Sequence, residues 1–176
     1  KVLGDRPAPA EDLSAVRYIF NGAEPINVAL CEDFLARMQP TGLRRSAMYP
    51  VYGLAEASLA VTFPAPGSEF RSLILDRRHL AVGEPVRELR IVDDADAVLP
   101  ERRVGHVQIR GANVTRGYFE APEANAAAFT SDGWLRTGDL GLVDQGELWI
   151  YGRVKEIIVV NGQNSSPHDS EAIAQR

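Results

Sequence analysis

The chain has 176 residues, of which 45% are hydrophobic and 24% charged, the balance of one folded unit at about 100–200 residues and not of a disordered tail, a collagen-like repeat or a coiled coil. Lys and Arg number 19 against 24 Asp and Glu, a formal charge of −5, and no basic cluster occurs, so neither nucleic acid nor an anionic membrane is an expected partner. The single cysteine, Cys31, cannot close an internal disulfide, and the longest apolar stretch, residues 47–55, is interrupted by Pro50 and Gly53. No membrane span is expected, and a cytoplasmic location is.

Residues 1–12 are rich in Pro and charge, lack periodicity and carry no initiating Met, so the chain is expected to be a piece of a longer protein. VRYIF at 16–20 predicts a short strand ending at Asn21-Gly22. Pro25 suits the first turn of a helix in which Ile26, Ala29, Leu30, Phe34 and Met38 recur at spacings of three and four. Pro40, Thr41 and Gly42 stop it, and SAMYPVYG predicts a second buried strand running into a loop at Gly53. Beyond residue 62 the pattern changes to short β-favouring segments at 73–75, 88–92, 104–110 and 147–151, separated by Gly, Pro and Asp turns. Between them lies one helical patch, 122–129, expected at the surface. An apolar run at 156–160 meets Asn161-Gly162, a hairpin signal with a clear strand on one side only, and 167–175 is long enough for about two helical turns. The expected fold class is α/β: a partial αβ layer, then a small antiparallel sheet or distorted barrel. The expected division is 1–62, 63–152 and 153–176.

Four clusters carry chemistry. Gly22-Ala23-Glu24 follows a strand, where small residues let backbone approach a flat ligand, although most such turns are plain connections. Tyr52-Gly53-Leu54-Ala55-Glu56 sets a ring, a flexible Gly and a carboxylate within five residues; the ring could stack on a base and the carboxylate hold a hard cation, or the pair could be a buried Tyr and a helix-start Glu. In Trp134-Leu135-Arg136-Thr137-Gly138-Asp139-Leu140, Asp139 could accept hydrogen bonds from a vicinal diol, or belong to a type I turn. In Gly152-Arg153-Val154-Lys155-Glu156, Arg153 could fork onto ribose oxygens or phosphate, or simply be solvated. His79, His106 and His168 have no partner at metal-ligand spacing, and Cys31 lies on the apolar stripe of the first helix as a buried thiol.

The four clusters in this order, about 30, 80 and 15 residues apart, resemble the adenylate-forming superfamily of acyl-CoA synthetases, nonribosomal-peptide adenylation domains and luciferases. YGLAEA is similar to its Tyr-Gly-x-Thr/Ala-Glu motif, GHVQIRGANVTRGY to its Gly-rich strand pair ending in Gly-Tyr, WLRTGDL to its ribose-binding Thr-Gly-Asp motif, and GRVKEIIVVNG to its hinge. NGAEP, the Ala before Glu56, RGANVTRGY and the GQN-to-Pro-His-Asp ending resemble the fatty-acyl-AMP ligases more than the CoA ligases. The resemblance implies an enzyme that uses ATP and Mg²⁺ to turn a fatty acid into an acyl-adenylate. The acyl group then passes to a thiol, on the phosphopantetheine of an acyl carrier protein or, as the runner-up, on CoA. It further implies backbone of Gly22, Ala23 and Glu24 beside the adenine, Tyr52 stacked on it next to Gly53, Glu56 as catalytic group and metal ligand, Asp139 on the ribose hydroxyls, Arg153 on ribose and phosphate, and Lys155 as the hinge.

The Ser/Thr/Gly-rich phosphate loop and the C-terminal catalytic lysine of the superfamily are not in the sequence, so the chain by itself is expected to be inactive. Ser165, Ser166 and Ser170 stand where the resemblance leads one to expect apolar residues. A CoA ligase, an amino-acid adenylation domain and, from another class, a non-catalytic interaction module are the competing readings.

Overall fold

In the computed structural model of the chain, residues 10–74, 78–85, 88–156, 158–160 and 163–165 are described. The predicted first strand is β1, Ile19–Asn21, and it pairs in parallel with β2, Met48–Pro50, across the helix α1, Val28–Met38. A parallel pair needs a crossover, and α1 supplies it. The helix begins later than the sequence suggests. Asn27, not a residue near Pro25, is the N-cap: its Oδ1 accepts from Leu30 N at 3.0 Å, which leaves Pro25 two positions outside the cap. Val28, Cys31, Leu35 and Met38 form its buried face and pack with Leu43, Ala47 and Met48 in a first core; of the expected stripe, Ile26 and Phe34 are only partly buried and Ala29 and Leu30 are exposed, because the 28-31-35-38 row of the helix is the one that faces this core. Cys31 is buried there as expected; Asn21 Nδ2 donates to its Sγ at 3.3 Å, and burial pushes the thiol's pKa up.

The second region is an antiparallel meander in the order β10-β9-β8-β7, built from β7 Glu88–Val92, β8 Gly105–Arg110, β9 Leu135–Asp144 and β10 Glu147–Arg153. It stays an open sheet; among the described residues no closed barrel forms. Its buried face carries Ile91, Val107, Ile109, Leu135 and Leu148, and these pack against Ala57, Val61 and Val82. Ile26, beside the helix cap, packs against both cores. The short surface helix is as predicted: α2, Pro122–Ala128, has no buried residue.

Residues 81–83 join the two regions. Val82 N donates to Leu148 O and Leu148 N to Gly83 O, both at 2.9 Å, while Thr62 Oγ1 donates to Val82 O at 2.6 Å. Gly83 has φ +90°, and a Cβ there would lie 1.9 Å from Phe63 C, so only glycine lets this segment wedge between residue 63 and the sheet. Two short pairs lie outside the meander: β3 Thr62–Phe63 with β6 Glu84–Pro85, and β4 Ser72–Ile74 with β5 Arg78–Leu80. His79 is buried in β5, its Nδ1 lying 3.1 Å from Ile150 O. His106 pairs with Asp94 at 2.8 Å. The hairpin signal at 161–162 does sit between two paired strands, β11 Ile158–Val160 and β12 Gln163–Ser165, although the turn residues lie outside the described ones. So do the expected helix at 167–175, His168, Ser166 and Ser170.

Candidate functional site

The Thr-Gly-Asp segment is not a turn between elements. It lies inside β9, the longest strand, and it is a bulge: His106 opposes Leu140 and Gln108 opposes Arg136, so Thr137, Gly138 and Asp139 together face Val107 alone. Bulges re-aim side chains and need unusual backbone, which Gly138 provides at φ +78°. Thr137 Oγ1 donates to Val107 O at 2.9 Å and accepts from Asp139 N at 3.1 Å, fixing the bulge internally. The result is an acid 5% exposed, with partners from two other segments. Tyr52 donates its phenolic proton to Asp139 Oδ2 at 2.5 Å, and Arg153 Nε donates to Oδ1 at 3.0 Å. Two donors, one of them cationic, thus hold both oxygens of this buried carboxylate.

Arg153 reaches Asp139 because it is the residue across the β9–β10 ladder, at the strand end. A second irregularity between Ile150 and Gly152 sets that alignment. Its side chain remains 61% exposed, and its terminal nitrogens have no hydrogen bond among the described residues. Burial, and then the Asp139 charge, push the Tyr52 phenol far above the usual tyrosine range, so it remains a donor. Tyr52 is placed by the segment 52–62, in which Thr62 N and Val61 N both donate to Tyr52 O, at 3.0 and 3.1 Å. Gly53 is indispensable there: a Cβ would lie 1.4 Å from Leu59 O.

Glu56 lies on a single 3-10 turn, Ala55–Ala57, followed by Ser58 at φ 51° and Leu59 at φ 72°. The segment 113–118 holds this turn from the side. Asn113 Nδ2 donates to Ala57 O at 2.9 Å and Ala60 O at 2.8 Å, Thr115 N donates to Glu56 O at 2.7 Å, and Tyr118 donates its phenolic proton to Glu56 Oε1 at 2.9 Å. Glu56 Oε2 has no hydrogen bond among the described residues. No group of three His, Cys, Asp or Glu suited to a metal is present among them. The donor set is therefore one half-buried carboxylate with a free oxygen, which fits Mg²⁺ that completes its sphere with water and substrate phosphates, and not an all-protein cage.

Gly22, Ala23 and Glu24 lie one strand over from Tyr52, since Val51 N donates to Asn21 O at 2.9 Å and a Cβ on Gly22 would approach Val51 O to 2.7 Å. Ala23 has φ 72°, and Ala23 and Glu24 are exposed, with no contact to Asp139. Lys155 is exposed on the 3-10 turn Val154–Glu156 directly after Arg153. Tyr52, Asp139 and Arg153 are thus brought together; Glu56 has its own holder. Tyr118, Asn113 and Thr137 were not singled out from the sequence, although the first two belong to RGANVTRGY and the third to the Thr-Gly-Asp segment. Their roles are contacts at sequence separations of 62, 56 and 30, which no local pattern reveals.

Residues 2–119 match the model of the AMP-binding enzyme family. A 4-hydroxyphenylalkanoate adenylyltransferase of Mycobacterium tuberculosis is 38% identical over 195 residues, covering 93% of this chain and 32% of the relative. A medium-chain-fatty-acid–[acyl-carrier-protein] ligase of Teredinibacter turnerae is 33% identical over 211 residues, covering 100% of this chain and 33% of the relative. Among solved structures, one from structural and functional work on fatty acyl-adenylate ligases of E. coli and L. pneumophila superposes with a TM-score of 0.85 at 29% identity, covering 94% of this chain and 34% of that one. A fatty acyl-adenylate ligase of L. pneumophila in complex with acyl adenylate and pyrophosphate gives 0.78 at 34%, covering 92% and 33%. The chain spans about a third of the length of the curated relatives it matches. With residues 2–119, two thirds of its sequence, accounted for by that model, the chain belongs to the AMP-binding enzyme family.

Proposed function

We propose that the protein containing this chain activates a fatty acid with ATP to an acyl-adenylate and passes the acyl group to the phosphopantetheine thiol of a carrier protein. The observation that carries this reading is the buried Asp139 held by Tyr52 and Arg153. A fixed, anionic, two-oxygen acceptor beside a half-exposed guanidinium suits a ribose diol with a phosphate next to it. The relatives named as carrier-protein and fatty acyl-adenylate ligases favour the acyl and carrier assignments.

In the reaction, a carboxylate oxygen of the acid attacks the α-phosphorus of ATP, the acyl–phosphate bond forms, and the bond to the β-phosphate breaks to release pyrophosphate. The protein supplies position and charge. Asp139 orients the ribose, and Arg153 binds ribose and phosphate oxygens. Tyr52 packs beside the adenine with Gly53, and backbone of Gly22, Ala23 and Glu24 borders the base. Glu56 is the group that would hold Mg²⁺, which when bound neutralises charge on the phosphate oxygens. Lys155, exposed just past the end of β10, is the pivot between adenylation and thiol transfer. The division at 1–62, 63–152 and 153–176 assigns adenine and metal groups to the first part, Asp139 to the second, and the pivot with Arg153 to the third. No helix among the described residues is long and apolar enough to cross a membrane.

The test is made with the full-length protein. It is incubated with ATP, Mg²⁺ and either fatty acids of graded length or a 4-hydroxyphenylalkanoate, and pyrophosphate release and acyl-adenylate are followed. Carrier-protein acylation and CoA thioester formation are then compared by mass. Adenylate from fatty acids with carrier acylation is the expected outcome. Adenylate only from the hydroxyphenyl acid, or transfer only to CoA, replaces the acyl or acceptor assignment, and no adenylate at all overturns the reading.

A further inference from the structure

A carboxylate that serves as the single protein ligand of a nucleotide-bound cation has a geometric problem. Its two oxygens are equivalent and its side chain has three rotatable bonds, whereas Mg²⁺ demands near-octahedral geometry at about 2.0–2.1 Å. Something must choose which oxygen faces the cation. Around Glu56 the backbone is already pinned by Asn113 on Ala57 O and Ala60 O and by Thr115 N on Glu56 O. None of these contacts touches the carboxylate. Among the described residues, the one group that does is the Tyr118 phenol, on Oε1 at 2.9 Å.

Tyr118 is itself bracketed. Its N donates to Asn125 Oδ1 at 2.6 Å, and its O accepts from Asn125 Nδ2 at 2.9 Å, so one amide side chain from α2 closes both backbone groups of this residue. Gly117, at φ +145°, makes the bracket possible, because a Cβ there would lie 2.8 Å from Asn125 Oδ1. Thr115 Oγ1 adds a bond to Gly117 O at 3.1 Å. An exposed helix without a single buried residue thus ends in a contact on the Glu56 carboxylate.

We propose that Tyr118 is a positioning residue that holds Glu56 Oε1 and leaves Oε2 to a nucleotide-bound divalent cation, with Asn125 holding Tyr118 in turn. The proposal rests on the reading of Glu56 as the cation-holding group. Groups that orient a metal-ligating side chain through a hydrogen bond typically alter metal affinity by about 10–100-fold when removed.

The test uses the full-length protein with Mn²⁺ as probe and an α,β-methylene ATP analogue, and bound Mn²⁺ is measured by electron paramagnetic resonance. Tyr118→Phe, which keeps the ring, is expected to weaken Mn²⁺ about 10–100-fold while leaving the melting temperature unchanged. Asn125→Ala is expected to act in the same direction by less, and to add nothing in the Tyr118→Phe background. Loss of Mn²⁺ binding in Glu56→Gln with unchanged affinity in Tyr118→Phe overturns the positioning role and leaves the Glu56 reading standing. Unchanged Mn²⁺ binding in Glu56→Gln removes that reading and this inference with it. Where Tyr118→Phe proves unstable, Asn125→Ala decides, and unchanged Mn²⁺ affinity in folded Asn125→Ala overturns the proposal.

Discussion

The two cores of this chain are made differently. In the first, a helix bridges two parallel strands of three residues each, and the apolar contacts are set by helical spacing at 28, 31, 35 and 38. In the second, four antiparallel strands follow one another, and the core is set by alternation, as at Val107 and Ile109 on β8. The site lies at the margin of the second core, against which Tyr52 packs. Tyr52 and Glu56 come from the segment leaving β2, whereas Asp139, Arg153 and Tyr118 come from the meander and its connections, so the chemistry lies on the seam. The regular parts hold their own side chains in place, and the irregular ones, the bulge at 137–139 and the left-handed turn at 58–59, set the positions of Asp139 and of the Glu56 turn.

The comparison breaks first if the cores are independent. Leu35→Ala and Leu148→Ala each empty a fully buried position and are expected to cost about 2–5 kcal/mol. Because Ile26 and residues 81–83 tie the regions together, hydrogen exchange of the full-length protein is expected to report each loss in both α1 and β8. Loss of protection confined to the mutated region would make them separate units.

At the seam, Gly53→Ala is expected to cost about 1–3 kcal/mol or more, since its Cβ would overlap the Leu59 carbonyl. Gly22→Ala, whose Cβ comes only to 2.7 Å of Val51 O, should cost less. Denaturant midpoints that rank the two in the opposite order would remove Gly53 as the residue that lets the chain fold back at 52–62.

Asp139→Asn sharpens the difference between packing and chemistry. It keeps the shape but loses the charge that Tyr52 and Arg153 share, and ATP affinity is expected to fall by about 1.5–3 kcal/mol, the worth of hydrogen bonds to a charged group. Calorimetry with unchanged affinity in a folded variant would detach Asp139 from the ribose. The smallest expected effect is on pH dependence. Tyr52 has a folded pKa raised above the unfolded value of about 10, so its contribution is fully present below that pH and is lost as pH rises beyond it. The full-length protein should lose stability in the alkaline range with a steeper slope than its Tyr52→Phe variant, and equal slopes would contradict the burial of that phenol against Asp139.

Much of this was legible in the sequence, for reasons that differ by region. The existence of α1, the β7 and β8 segments and the surface helix α2 follow from spacing and alternation, and the pairing of β11 with β12 from Asn-Gly; the buried face of α1 did not, since Ala29 and Leu30 of the expected stripe are exposed and Val28, Cys31 and Leu35 carry the core beside Met38. The start of α1 did not, because Asn27 outcompetes Pro25 through a side-chain bond that spacing does not reveal. Nor did β9. Gly138, beside the Asp139 for which a type I turn was open, lies in a bulge, and Gly141 lets strands approach, with a Cβ only 2.7 Å from Trp149 O. Tyr52, Asp139 and Arg153 were visible as residue types, and the family resemblance supplied their grouping. That Tyr52 donates to Asp139, and Tyr118 to Glu56, was visible in neither.

Those two hydrogen bonds also say when the site comes into being during folding. They close loops of 87 and 62 residues, whereas β9 and β10 join across a turn beginning at Asp144 and ending at Glu147. Long closures carry the larger entropic cost and form after local ones. The β9–β10 hairpin and α1 can therefore assemble while Tyr52 is still far from Asp139, but the second core cannot, because Ala57 and Val61 meet Leu135 and Leu148 across comparable separations. The Tyr52–Asp139 and Tyr118–Glu56 bonds thus arrive with that core, and their formation reports a late folding step.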